Sequence, residues 1–587
     1  MSQLDWFILV GTLVTIVSYG LYKSRTSHNL DGYFLSNRSM PWGLVLLSIM
    51  GTQASAITFL SAPGQAYTDG MRFVQYYFGI PLAMVVICIF FVPIFRKLKV
   101  YTAYEYLENR FDNKTRTLTS LLFLLQRGLS TGISVFAPSI ILSSLFGWNI
   151  YYTNLLMGGL LIIYTMSGGA RAVAYTQQLQ LVIIFIGMFL AGYMVVRLLP
   201  HDVGFTDALE VGGKLGKLNV ITTGFEKGHF NWSDQYNLFS GLVGGFFLAL
   251  SYFGTDQSQV GRYLTGKSLR ETRMGLLING LVKVPMQFAI LLIGLMIFSF
   301  YQFNKAPLFF NESLVKRAHT SSYDAPLTVI ENSYNQYSSD LPALQRNYHD
   351  LKASGDISQQ QAVLDQIILA NAKKDSLRKE YKSLLKQAVP SADTNDTNYI
   401  FLRFVVDNLP AGLVGLLIAI IFLASWGSIA AAINSLASCT MIDFHRRFTK
   451  KKETSEDEYR LSKKYTLAWG LFCIVVAMFT YNIGNSLIEA VNVLGSLFYG
   501  VILGVFLVAF FLKKITSGNI VFWSAVLAEL LVLTIFILTK CGVFKMGFLW
   551  LNPIGALGVV LFSTVLHISR GGRNARRLRS RSAANAT

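Results

Sequence analysis

The sequence predicts an all-α polytopic membrane protein, and three observations carry that prediction. Of 587 residues, 52% are hydrophobic and 13% aromatic, while only 14% are charged. A soluble protein carries roughly 25% charged residues, so the polar side chains here are too few to solvate a globule of this size. Apolar stretches long enough for a bilayer core, about 20 residues of helix, recur along the chain. Lys and Arg gather in alternate connections between those stretches, as the positive-inside rule requires. A soluble enzyme, a disordered protein and a disulfide scaffold are excluded. The net charge of +19 invites a nucleic-acid reading, but the same positive-inside bias accounts for it. No nucleic-acid partner is expected; the lipid bilayer is. Cys88, Cys439, Cys473 and Cys541 lie in or beside apolar segments without metal-ligand spacing and read as packing residues. The chain opens on Asp5 and Trp6 with no basic region or small-residue cleavage site, which predicts a retained first helix.

Thirteen spans are expected, near 5–23, 42–68, 73–97, 116–146, 150–167, 172–198, 237–262, 273–302, 409–443, 464–482, 486–512, 519–539 and 548–567. Lys23, Arg25 and Arg38 follow the first span. Arg96, Lys97, Lys99, Arg110, Lys114 and Arg116 follow the third. Arg171, then Arg262, Lys267, Arg270 and Arg273, then Arg446 to Lys464, and the tail from Arg570 to Arg581 continue the alternation. An odd number of spans then places the N-terminus outside and the C-terminus in the cytoplasm of a plasma-membrane protein. Two outside segments are long, 199–236 and 304–398. In the second, Leu341, Leu344, Tyr348 and Leu351 recur at helical spacing, as do Leu364, Ile367, Ile368, Leu377, Tyr381 and Leu384. The Ser354-Gly355-Asp356 break between them predicts an external helical-hairpin insertion, serving packing or contact with an unknown external partner.

Polar atoms in hydrocarbon are costly, so those present need a reason. Span two reads Ser48-Ile-Met-Gly51-Thr52-Gln53-Ala54-Ser55 and continues to Thr58 and Pro63-Gly64. Such a stretch either unwinds beside a cavity, freeing carbonyls for a cation, or packs helices closely through small residues. Span nine, Ala424-Ser425-Trp426-Gly427-Ser428 to Asn434-Ser435, has the same character. Two such segments far apart in the chain point to a cation site between helices, because hard monovalent cations take carbonyl and hydroxyl oxygens. Span seven ends in the polar run Ser251 to Leu264, either interfacial anchoring or part of a site. Lys283 lies ten residues past Arg273, about 15 Å along a helix, where snorkelling is strained. It faces a cavity or pairs within the protein, with Glu489 as the candidate partner. Glu489 and Asn492 share a face of span eleven. No Walker loop, HExxH, CxxC or catalytic carboxylate pair occurs. The chain is therefore expected not to be an enzyme or an ATP-driven pump.

Four stretches together resemble the sodium:solute symporter family. They are Asp31 to Arg38, Gly168-Gly169 to Thr176, Gly254 to Leu264, and Asn434-Ser435 to Asp443. The resemblance covers residues 1 to about 567 apart from most of 304–398. Tyr104 to Phe111 and the span-four run to Ala137-Pro138 look like the monocarboxylate, iodide and vitamin branch. Lys283 matches a sugar-contacting lysine of the bacterial sodium–galactose member. The resemblance implies a LeuT-type 5+5 inverted repeat, with spans two to six and seven to eleven as its halves and broken helices at spans two and seven. It implies an N-terminal extra helix and cytoplasmic loop (1–41), the first repeat and start of the second (42–303), the extracytoplasmic insertion (304–398), the rest of the second repeat (399–512), and two C-terminal helices with a basic cytoplasmic tail (513–587).

Carried over residue by residue, the family's sodium site falls on Gly51, Ala54, Ala424, Gly427 and Ser428, with Na+ as coupling ion. Gly427 stands where sugar-type members have a second Ser. Solute-lining positions fall on Gln53, Thr58, Tyr77, Lys283 and Asn492, and Tyr252 matches an aromatic that closes over the solute from the inner side. Thr58, Tyr77 and Asn492 depart from the galactose-binding residues. Gln177 replaces an Asp tied to a second cation in many members, which implies one sodium per cycle. The function expected is sodium-coupled symport of a small organic solute (sugar, sugar acid, monocarboxylate or vitamin-like) by alternating access. The alternative is a non-transporting sensor on the same scaffold, for which a fused signalling domain would argue; a channel is disfavoured by the broken helices.

Overall fold

The structure is a computed structural model. It describes residues 1–24, 34–354, 356–390, 392–449, 454–480 and 486–584; the side chains of 21, 23, 24, 37, 167–172, 353, 354 and 571–584 lie outside that description. Several cations used above for orientation, among them Arg25, Arg171, Lys450 to Lys452 and the tail from Arg573, therefore lie outside the described side chains, as do Asp31 to Tyr33, Gly168, Gly169 and Gly355.

Among the described residues, ten helices are long and apolar enough to cross a membrane, eleven if one bent pair counts as a single span. The helices used below are α1 (Gln3–Ser24), α2 (Trp42–Gln53), α3 (Ala56–Asp69), α4 (Asn113–Phe146) and α5 (Ile150–Arg197). They continue with α6 (Gly245–Thr255), α7 (Gln257–Tyr263), α8 (Leu269–Phe303), α9 (Asp324–Ser354), α10 (Ile357–Ala388), α11 (Leu413–Cys439), α12 (Ser455–Phe479), α13 (Leu487–Phe511) and α14 (Gly518–Lys540). Two of the thirteen expected spans correspond only to shorter apolar stretches, Ile150–Met166 and Ser240–Thr255. The loop expected between spans five and six falls on residues 167–172, within the run Ile150–Arg197 labelled α5. On either side of it the Tyr164 and Thr176 hydroxyls meet at 2.6 Å, which residues about 18 Å apart along one straight helix could not do, so the chain doubles back there.

Two helices break where the sequence placed small and polar residues. α2 and α3 meet at a bend of 60°. At the break Ala54 takes φ −79°, ψ 82°, and the Ser55 N–H donates to the Gln53 carbonyl at 3.0 Å. Ser55 thus no longer serves the carbonyl of Gly51, one turn back, and the end of α2 is left with carbonyls free to bind something else. α6 and α7 meet at Asp256, whose backbone is extended at φ −74°, ψ 119° and whose side chain accepts from the Ser258 N–H to cap α7.

The inner helix of the bundle is α11, whose apolar stretch is 94% buried, against 22% for α1 and 39% for α14. α11 packs on α4, α5 and α2, and α1 and α14 lie at the periphery. Arg116, one of the cations used for orientation, is buried. It pairs with Asp443 at 2.5 Å and Glu108 at 2.6 Å, and Thr102 and Ser120 also donate to Asp443. Asp443, which closes one of the family stretches, therefore fastens α4 to the end of α11.

Between 304 and 398, α9 and α10 pack along each other. Leu341, Tyr348, Leu364 and Ile367 form one buried cluster, and Tyr381 and Leu385 belong to another with Phe309, Leu314 and Leu327. Ile368, placed by periodicity on the apolar face, is exposed. The pair is tied down through Gln302, which bonds Gln345 and Asn371, and through Arg378 and Lys382, which both bind Asp396. Burial raises the Asp396 carboxyl, but these two cations outweigh it and hold it at about 2.

Candidate functional site

The two helix breaks, α4, α8, α11 and α13 enclose a cavity of about 140 Å³. Gln53, Thr58, Tyr77, Tyr252, Lys283 and Asn492 all line it, although they come from five separate segments of chain. Tyr77 closes a short 3₁₀ turn, Met71–Tyr77. Pro285 lies inside α8 two residues beyond Lys283, where it removes a helical hydrogen bond.

Lys283 is 2% exposed. Its ammonium lies 5.8 Å from the centre of the Tyr77 ring, and no charged group of the described residues neighbours it. The pairing with Glu489 weighed from sequence is not formed. Gln53 Oε1 and Asn492 Nδ2 are buried without a protein partner; the Asn492 carbonyl accepts from the Tyr76 hydroxyl at 3.2 Å. A buried polar atom left unmatched costs about 1–3 kcal/mol. An unpaired cation, an acceptor and a donor thus line one space that fits a small polar molecule.

Sequence reasoning missed a second cation here. Arg127 of α4 lines the cavity, and its side chain is 11% exposed. Its Nε has no hydrogen-bond partner, and its Nη1 reaches Asp256 Oδ2 only at 3.8 Å. That carboxylate oxygen accepts from the Tyr499 hydroxyl at 2.6 Å. Tyr252, one turn before Asp256, accepts from Gln259 Nε2 at 2.7 Å, strapping α6 to α7 beneath the cavity. The signal was available: Arg127 lies eleven residues past Arg116, about 16 Å into the span, the argument that singled out Lys283.

Two of the residues assigned to the cation, Gly51 and Gly427, meet Gln177 of α5. Its amide donates to the Gly427 carbonyl at 3.1 Å and to Thr52 at 3.3 Å, and its oxygen accepts from Ser48 at 3.1 Å. Two glycines permit this approach. A methyl group on Gly51 would come within 2.8 Å of Gln177 Cβ, and one on Gly427 within 2.5 Å of Gln180 Oε1. Ser428 faces the cavity and donates to the Ala424 carbonyl at 2.9 Å, leaving its lone pairs for a cation. Ala54 supplies the carbonyl at the α2–α3 break. The donor set is neutral oxygen, and no group of three or more His, Cys, Asp or Glu side chains suited to a metal occurs among the described residues. Such a set suits a monovalent cation rather than a divalent one.

The model of the Sodium:solute symporter family matches residues 33–327 and 379–527. The sodium/sialic acid symporter SiaT of Proteus mirabilis is 24% identical over 96% of this chain and 94% of its own. A sodium-dependent multivitamin transporter of Oryctolagus cuniculus is 26% identical over 87% of this chain and 66% of its own. A solved Na+-coupled sialic acid symporter in a substrate-bound outward-open state has the same fold, with a TM-score of 0.72 at 23% identity over 96% of this chain and 97% of that one.

Proposed function

From the membership of this chain in the sodium:solute symporter family, we propose sodium-coupled import of a small carboxylate-bearing solute by alternating access. That the chain is a multi-pass membrane protein of a sodium-coupled symporter family, with Na+ as the coupling ion and a small organic molecule as the solute, is the premise. The anionic charge of the solute is the reading added here. One observation carries it: Lys283 and Arg127 line the same cavity, no carboxylate of the described residues neighbours Lys283, and the one facing Arg127, that of Asp256, is 3.8 Å away. A buried cation without a counter-ion is expensive, and a carboxylate solute supplies one through charge-assisted hydrogen bonds. Sugar acids, monocarboxylates and acidic vitamins fit; neutral sugars leave Lys283 unpaired.

In this reading Gly51, Ala54, Ala424, Gly427 and Ser428 hold Na+, and Gln53, Thr58, Tyr77, Lys283, Asn492 and Arg127 contact the solute, with Tyr252 as the inner closure. Thirteen spans follow if Ile150–Met166 and Ser240–Thr255 each cross the membrane, and the broken helices α2–α3 and α6–α7 then open two five-helix repeats of inverted topology. The domain boundaries given above, an external N-terminus, a cytoplasmic C-terminus and an external position for α9 and α10 follow from the same count. The helix pair at 304–398 offers its outer face to an external partner. The test is uptake into proteoliposomes under an inward sodium gradient, with sialic acid, pyruvate, biotin and glucose as solutes. Sodium-dependent uptake of a carboxylate but not glucose is expected; the reverse preference overturns the reading.

A further inference from the structure

Asp256 stands at a junction that neither the cation site nor the solute contacts explain. It is 1% exposed and forms the extended link between α6 and α7. One carboxylate oxygen caps α7 through the Ser258 N–H at 2.7 Å. The other accepts from Tyr499 of α13 at 2.6 Å and faces Arg127 of α4 at 3.8 Å. Capping needs an acceptor and not a charge, since a neutral Asn caps as well as Asp. The charge of Asp256 therefore acts on the one cation beside it. At 3.8 Å the pair attracts but makes no hydrogen bond, so the guanidinium keeps donors to offer while its charge is partly compensated.

We propose that Asp256 is the resting counter-ion of Arg127, and that a solute carboxylate displaces it, so that occupancy of the cavity changes the hold of one carboxylate on the α6–α7 hinge. Asp256 is then a positioning residue that tells the inner helix pair whether the cavity is filled. The solute takes the guanidinium donors at hydrogen-bond distance and in the paired geometry that Arg offers a carboxylate. Asp256, released from that attraction, settles on Tyr499 and the cap of α7. The inner strap from Gln259 to Tyr252 lies on the same two helices, so a shift at Asp256 is transmitted directly beneath the solute. The inference rests on the carboxylate reading of the cavity.

The test uses the full-length protein in nanodiscs with saturating sodium and measures equilibrium binding of sialic acid, pyruvate and biotin. Arg127→Gln tests the underlying reading and is expected to weaken binding of the carboxylate that the wild type accepts by more than tenfold. Asp256→Asn keeps the acceptor that caps α7, turns the position facing Tyr499 into an amide donor to that hydroxyl, and removes the charge; it is expected to tighten binding at least threefold while slowing sodium-driven uptake at saturation. In the Arg127→Gln background, Asp256→Asn is expected to have no effect on affinity. Tyr499→Phe frees Asp256 to pair more closely with Arg127 and is expected to weaken binding, opposite in sign to Asp256→Asn and independent of whether that variant folds. Failure of all three probes to bind, or an unchanged affinity in Arg127→Gln, overturns the carboxylate reading and this inference with it. A loss in Arg127→Gln with unchanged affinity in Asp256→Asn, or weakening by Asp256→Asn and Tyr499→Phe alike, overturns the counter-ion role alone.

Discussion

Replacing Lys283 by Gln removes one charge from the cavity wall and leaves hydrogen-bonding capacity in place. The ammonium is 2% exposed, has the Tyr77 ring at 5.8 Å and no neighbouring charge, so its loss uncovers no buried carboxylate. The folded state should tolerate the change, because Gln is cheaper to bury than an unpaired ammonium. The solute should not. A hydrogen bond to a charged group contributes about 1.5–3 kcal/mol, which corresponds to roughly a 10- to 150-fold loss of affinity. Two measurements separate the effects: the half-saturation constant for carboxylate uptake into proteoliposomes, and the sodium dependence of thermal stability without solute. The first should rise by at least tenfold and the second should stay as in the wild type. A rise below threefold would refute the assignment of Lys283 to the solute. So would loss of folded protein that Glu489→Gln restores, since the structure forms no such pair.

At the cation site, Ser428→Ala should weaken apparent sodium affinity several-fold with insertion unchanged, and identical sodium dependence would move the site elsewhere. Gly427→Ser, which restores a hydroxyl, drives its Cβ to 2.5 Å from Gln180 Oε1; it should strengthen sodium binding only when combined with Gln180→Ala, and a gain from the single change would show that Gln180 yields. Gln177 occupies the second-cation position with a neutral amide already bonded to Gly427 and Thr52, so the ratio should be one sodium per solute. Transport of a monoanion is then electroneutral, and a sodium- and solute-dependent current under voltage clamp would refute it. In the 304–398 segment, Asp396 is held at about 2 against an ordinary 3.8, so the folded form is favoured above pH 4 by about 2 kcal/mol. That contribution is lost as the pH falls from about 4 through 2; hydrogen exchange of α10 should rise over that window in the wild type and be insensitive to it in Asp396→Asn.

What was legible in the sequence was what the bilayer makes expensive. Lys283, the Gly51-to-Ser55 run and the Ala424-to-Ser428 run stand out because polar or small residues in an apolar helix need a cavity or a partner, and each was placed at the site on that ground. The apolar residues Leu341, Tyr348, Leu364 and Ile367 were legible for the converse reason, as helical spacing in a polar segment. Arg127 was not singled out because Gln126, Ser130 and Thr131 around it make its span read as merely polar. Asp256 sat inside a cluster that interfacial anchoring could also explain. Its function depends on Arg127 and Tyr499, which are 129 positions before it and 243 after it; only the fold brings them together. The hold of Gln177 on Gly427 was invisible for the same reason, since spacing along one helix says nothing of the carbonyl it meets on another.

The charge count of the site leads to a final prediction about coupling. The residues proposed for the cation offer carbonyls and a hydroxyl with no carboxylate among them, and Gln177 adds none. The solute cavity is lined by two cations and no carboxylate, Asp256 facing Arg127 from behind at 3.8 Å, and Ser428 lines that cavity too. Sodium therefore enters a neutral cradle beside a wall with excess positive charge, which opposes it; a bound solute anion cancels that excess and attracts the ion. Binding of one should strengthen binding of the other by the same factor, since linkage is reciprocal, and couplings of this kind are about 1–3 kcal/mol, or 5- to 150-fold. The charge, not the shape, of the solute should carry most of it. Titrating sodium in the presence of a transported carboxylate, and of its neutral methyl ester or primary amide at matched occupancy, measures the two contributions. The acid should raise sodium affinity at least fivefold and the neutral analogue less than twofold. Equal enhancement by both would show that closure around the solute, and not its charge, completes the sodium site, and would remove the electrostatic basis of coupling argued from Lys283, Arg127 and Gln177.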